Sequence, residues 1–232
     1  VNWLFLALLL LSDPVGDDHG AQLGYPRAAI YQEVGFADLT GFQMRQKDGA
    51  WQLGVRLDRY PNPAAAPLGF SLAVVAFYLD SQPGGSEKLP GCGLKTPAAG
   101  GWDEAYLLSG WGAEKRLPDG SGQPARAWRE GDWIWLATSL RQRPRVYVAS
   151  GIYDPFSPWA FRSPQPGGGY WRLDGPASAP AALDVIAADN AAVWASGVLP
   201  AAHGRHSWRL PAALALMALA LFFVLRALRL KG

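Results

Sequence analysis

The sequence predicts an all-β fold, an antiparallel β-sandwich, for most of its 232 residues. Three observations predict it. Between Asp13 and Ala188 apolar residues alternate with period two or run in short blocks, and helical periodicity is almost absent. The chain carries 27 glycines and 19 prolines, which break helices and mark turns between short strands. Half of the residues are apolar, enough to bury a core and to exclude disorder as the main state.

Taken in order, the elements begin with an apolar run from Trp3 to Leu11. It is too short to cross about 30 Å of hydrocarbon but suits the centre of a signal peptide. Residues 1–12 are therefore expected to be a signal peptide or N-terminal apolar segment. Trp51 to Asp58 alternates cleanly, with Trp51, Leu53, Val55 and Leu57 on one face and Gln52 and Arg56 on the other. Phe70 to Leu79 is almost wholly apolar, as befits a central strand covered on both faces. Asp132 to Leu140 and Arg145 to Tyr153 read as strands, with Ala105–Leu108 and Leu183–Ala187 as weaker ones. The strand at Asp132 sets Trp133 and Trp135 on one face and Ile134 and Leu136 on the other, so one of those faces lies at a sheet surface or under a loop. The sandwich is expected over 13–190, a small and polar linker over 191–209, a transmembrane helix over 210–226 and a cytoplasmic tail over 227–232. The helix is expected because Leu210 to Leu225 holds no charge and no polar face, with Arg209 and Arg226 placed to snorkel at its ends. This predicts a single-pass cell-membrane protein with its body outside the cytoplasm.

Charge and motifs exclude several functions. The net charge of +2 hides a division, because Arg205, Arg209, Arg226, Arg229 and Lys231 all lie in the tail, where no acid offsets them. The body has no basic footprint and no nucleic acid is expected as a partner. The one basic cluster, Arg141 to Arg145, reads as a solvated turn. Cys92 is the single cysteine, so no internal disulfide forms. No Gly-x-Ser-x-Gly elbow and no His-Glu-x-x-His pair occurs, and Gly91 to Thr96 lacks the Gly-Lys of a phosphate loop. The protein is expected not to be an enzyme.

Asp13-Pro-Val-Gly-Asp-Asp-His-Gly20, followed by Tyr25-Pro26, resembles the opening signature of the C-terminal module of glucodextranase-type proteins. The resemblance continues through Ala37–Phe42, Gly69–Leu72, Tyr78–Asp80, Leu89–Gly91, Trp102–Tyr106, the surroundings of Trp159 and Trp171, and Leu183–Ile186. That family is similar to DOMON-like sandwiches and to family-9 carbohydrate-binding modules. The resemblance implies a non-catalytic β-sandwich outside the cell, tethered to membrane or wall, that binds a sugar or another ligand. A polysaccharide or envelope glycan and neighbouring envelope proteins are the expected partners, and a purely structural envelope role is the alternative.

Two constellations point to chemistry. Asp13, Asp17 and Asp18 place three carboxylates around a glycine, a donor set suited to Ca²⁺; the same acids also suit turn caps around Pro14. Trp102, Trp111, Tyr153, Trp159 and Trp171 lie in or beside Gly/Pro-rich segments, where flat rings can meet the apolar faces of sugars or can anchor loops. A third reading, haem held by Met44 and His19 as in some DOMON-like redox modules, rests on single residues.

Overall fold

The computed structural model describes residues 9–202. Most of the signal-like run and the whole of the expected transmembrane helix lie outside the described residues. Among the described residues no helix is long and apolar enough to cross a membrane.

The strands are β1 (Leu9–Ser12), β2 (Leu39–Lys47), β3 (Ala50–Leu57), β4 (Ala73–Asp80), β5 (Lys88–Leu89), β6 (Leu94–Lys95), β7 (Glu104–Ser109), β8 (Gly112–Arg116), β9 (Gly122–Ala125), β10 (Ala127–Glu130), β11 (Trp133–Ala137), β12 (Arg145–Ile152) and β13 (Asp184–Val185). Helix α1 (Asn190–Ser196) follows them. They form a five-stranded sheet in the order β1-β2-β3-β11-β10 and a six-stranded sheet in the order β13-β12-β4-β7-β8-β9, with β5 and β6 as a separate hairpin. Every pairing between these strands is antiparallel.

The main core lies between the two sheets. Phe42, Leu53, Val55, Ile134 and Leu136 from the first sheet meet Val75, Phe77, Leu108, Val146 and Val148 from the second. A second apolar layer covers the outer face of the six-stranded sheet, where Val74, Ala76, Tyr78, Leu107 and Tyr147 pack under Leu89, Leu94, Trp102, Phe161, Val193 and Leu199. Strand β4 contributes to both layers in alternation and is buried along its whole length, which explains its unbroken apolar sequence.

The outer face of the five-stranded sheet resolves the alternation of β11. Ile134 and Leu136 enter the core, while Trp133 and Trp135 lie over two glycines that leave room for indole rings. A Cβ on Gly54 would lie 2.8 Å from the Trp135 ring, and one on Gly41 would lie 3.0 Å from Trp133. The Arg45 guanidinium stacks 3.7 Å above Trp135 and bonds Glu130 at 2.9 Å. Gly54→Ala should therefore overpack this face and cost about 1–2 kcal/mol, read as a melting temperature lower by about 3–6 °C. An unchanged melting temperature would show that Trp135 has room to move.

Both domain boundaries shift. Leu9–Ser12 is the edge strand of the first sheet, with Leu11 opposite Phe42 and packed against the core, so the body begins before Asp13. At the other end the expected linker is folded as far as Ala202. Asp189 caps α1 by accepting the Ala192 N–H, Gly197 closes it in the left-handed conformation, and Val193 and Leu199 are buried. Of the small residues read as a tether, Ala191, Ala192 and Ala195 lie in α1, and alanine is a good helix former.

Candidate functional site

The three predicted metal-ligand aspartates do not converge. Asp13 and Asp17 meet Asp184 from β13, each with a carboxylate oxygen within 4.8 Å of the others. Asp18 is directed elsewhere, and this corrects the expected set: its buried carboxylate accepts the Tyr25 hydroxyl and the Gly35 N–H. Asp38 joins from the start of β2, where its Oδ2 accepts the Gly16 N–H at 2.6 Å. Asp184 fastens the sheets locally, accepting Leu39 N–H at 2.7 Å through Oδ2 and Val185 N–H through Oδ1. Asn190, at the start of α1, donates to both Asp17 and Asp184.

These carboxyls are uncomfortable without a counter-charge. Burial, and then the nearby charges of Asp17 and Asp38, push Asp13 up to about 8. Burial raises Asp38 to about 6 despite the Gly16 N–H, with Asp18 and Asp17 adding to the rise. Burial raises Asp184 to about 9, with Asp13 and Asp17 contributing further. Four buried oxygens, Asp13 Oδ2, Asp17 Oδ1, Asp38 Oδ1 and Asn190 Oδ1, accept no hydrogen bond among the described residues. Unpaired buried oxygens on several carboxylates suit a hard cation that takes six to eight oxygen ligands. The sequence signal for the missed members is an acid inside an apolar run, Ala37-Asp38-Leu39 and Leu183-Asp184-Val185.

The aromatics separate into four situations. Trp111, in the β7–β8 turn, is 47% exposed and stacks on Tyr153 with 4.9 Å between centroids and 26° between planes. Together they line a groove of about 390 Å³ on the outer face of the six-stranded sheet. Leu107, Glu114 and Pro124, directly opposite one another across β7, β8 and β9, form its floor, and the segment from Asp154 to Ala160 forms a wall. Burial holds the Tyr153 phenol above its ordinary value, so it remains a neutral hydroxyl at physiological pH. Arg116 also lines the groove; it bonds Glu114 at 3.0 Å, and its buried Nε–H has no acceptor among the described residues.

Trp159 is half-buried and lines a neighbouring hollow with Lys88, Lys95 and Phe161. Trp102 lies beneath it, edge to face at 5.7 Å. The expectation of a sugar platform fails at Trp102, which is 1% exposed and donates its Nε1–H to the Lys88 carbonyl at 2.6 Å. Its ring fills the outer apolar layer, and the neighbouring glycines that made this stretch look like an open loop are there for close packing, since a Cβ on Gly101 would lie 2.0 Å from the Gly84 carbonyl. Trp171 is exposed on a separate loop beside Tyr170 and Tyr31. Arg162 ties that loop to the groove, donating to the Trp171 and Tyr153 carbonyls and to the Tyr31 hydroxyl.

The residues weighed for other chemistry are kept apart. Met44 is packed inside the core, whereas His19 sits exposed on the loop after Asp18. Cys92 is buried and its Sγ donates to the Leu89 carbonyl, with burial pushing the thiol up to about 11, so it is an inert packing residue.

No curated protein matches the chain. A protein-family model matches residues 8–130, just over half of the sequence. The matched stretch contains β1 to β10 with Asp13, Asp17, Asp38, Lys88, Lys95 and Trp111, while Tyr153, Trp159 and Asp184 follow it. That model describes a binding module, not a catalytic domain. The chain belongs to this family, the SLH-like C-terminal binding module of glucodextranase.

Proposed function

We propose that the protein is a non-catalytic carbohydrate-binding module of the cell surface, with its glycan site in the groove walled by Trp111 and Tyr153. The observation that carries this reading is the exposed Trp111 ring, stacked on Tyr153 above a concave sheet face that also offers polar groups. Sugar rings have apolar C–H faces that pack on indole, while their hydroxyls need donors and acceptors at the rim. The Glu114 carboxylate and the Tyr153 hydroxyl meet that need, with the Arg116 guanidinium bonded to Glu114 beside them. A volume of about 390 Å³ suits one or two sugar units rather than a long enclosed chain.

Calcium is the ion this reading adds, held by Asp13, Asp17 and Asp184 with Asp38 beside them. When bound, it would supply positive charge that cancels the repulsion of these carboxylates. The residues themselves join the loop after β1 to the start of β2, to β13 and to α1, so the site fastens the N-terminal segment to both sheets. The stretch 210–226, uncharged as far as Leu225 and ending at Arg226, is the proposed membrane anchor, which would hold the body outside the cytoplasm beside envelope glycans. Screening the calcium-loaded protein against a glycan array tests the function. Binding that is lost in Trp111→Ala is the expected result; no binding to any glycan would overturn it.

A further inference from the structure

Beside the groove, the β5–β6 hairpin sets two lysines where strand pairing alone disfavours them. Leu89 and Leu94 face each other inward and are buried, which turns Lys88 and Lys95, also directly opposite one another, outward into solvent. Like charges directly across an antiparallel pair repel. Neither lysine has an ion-pair partner among the described residues, although Lys115 and the arginines nearest the groove do.

Both lysines line a hollow of about 670 Å³ whose other walls include Trp159 and Phe161. The hairpin approaches Trp159 closely because its turn carries Gly91 at φ +83°, where a Cβ would lie 2.6 Å from the Trp159 Cβ. Ser157 lines this hollow and the Trp111 groove alike, so the two are neighbours across one segment. The combination is an aromatic face, two unpaired ammonium groups and continuity with a proposed sugar groove.

We propose that this hollow takes an anionic sugar unit, its ring against Trp159 and its acidic group at Lys88 and Lys95, next to the unit held at Trp111. The ligand class is then an acidic polysaccharide. This inference rests on the groove reading above and narrows it. An anion between the lysines relieves their mutual repulsion, so the attraction is expected to be sensitive to salt.

The test uses the full protein and four probes: a galacturonic-acid oligosaccharide, its carboxyl-reduced neutral counterpart, a sulfated neutral oligosaccharide and its unsulfated parent. Titration calorimetry should show at least one acidic probe binding roughly tenfold tighter than its neutral partner, with the advantage shrinking as salt rises. Which acidic probe wins identifies the substituent. Lys88→Gln with Lys95→Gln should abolish the advantage, leave neutral binding unchanged and leave the melting temperature equal or higher. Equal binding of acidic and neutral probes, with Trp111→Ala weakening both, overturns the acidic preference and leaves the groove standing. No effect of Trp111→Ala on any probe overturns the groove reading as well.

Discussion

Removing divalent cations with a chelator should lower the melting temperature at pH 8 by about 5–10 °C relative to protein held in excess calcium. A ligand at a hundred times its dissociation constant stabilises the folded state by about 2.7 kcal/mol, and a domain of this size shifts by roughly 2–4 °C for each kcal/mol. The effect should depend on pH with a definite sign. In the metal-free protein Asp13, Asp38 and Asp184 are raised from 3.8 to about 8, 6 and 9, mainly by burial. The folded state therefore keeps protons that the unfolded chain releases. This contribution to stability is complete below about pH 4 and is lost as pH rises through about 6 to 9. Calcium needs the same carboxylates deprotonated, so its stabilising effect should grow from pH 5 to pH 8. Thermal scans with and without chelator at both pH values check this. Asp17→Asn should remove most of the calcium response, and identical melting temperatures at pH 8 with calcium and with chelator would exclude the ion.

Trp111→Ala should weaken glycan binding by about 10- to 150-fold while leaving the fold nearly as stable. An indole offers roughly 150–250 Å². If a sugar covers about a third to a half of that at about 25 cal/mol per Å², the loss is about 1.3–3 kcal/mol. Stability changes little because the ring already stands 47% exposed in a turn. Tyr153→Ala should weaken binding too, through loss of the ring that supports Trp111, and should also cost some stability because Tyr153 is half-buried. Trp102→Phe separates packing from binding. It should lose about 2–3 kcal/mol of stability, from the Nε1–H bond to Lys88 and the space the smaller ring leaves in the outer layer, and keep glycan affinity at the Trp111 groove. Calorimetry alongside thermal unfolding distinguishes the three variants.

Strands with regular patterns were legible in the residues themselves. The alternation from Trp51 to Leu57 and the unbroken apolar run of β4 both correspond to strands, the first with one face in the core and the second between two layers. Strands β8 to β10 were not legible, because Gly112–Arg116 and Gly122–Ala125 lie toward one edge of their sheet and carry few apolar side chains to reveal a period. In β2 the outward positions include Gly41 under Trp133 and Arg45 over Trp135, a choice made by cross-strand neighbours and invisible locally.

The sites show the same division. Trp111 and Tyr153 could be picked out as aromatics beside turns, but only the fold stacks them, 42 residues apart, in one groove. The opening acidic signature supplied Asp13 and Asp17, whereas Asp184 reaches the cluster through sheet topology from the far end of the chain. Adjacency in sequence favoured Asp18, whose carboxylate the Tyr25 hydroxyl and Gly35 N–H had already engaged.

The most direct test follows the indole N–H resonances of the calcium-loaded protein by NMR while a glycan identified on the array is added. The signals of Trp111 and Trp159 should move with one saturating curve, while those of Trp133, Trp135 and Trp171 stay in place. Movement confined to Trp171 or to the Trp133–Trp135 face, with Trp111 still, would contradict the groove and place the ligand elsewhere on the sandwich.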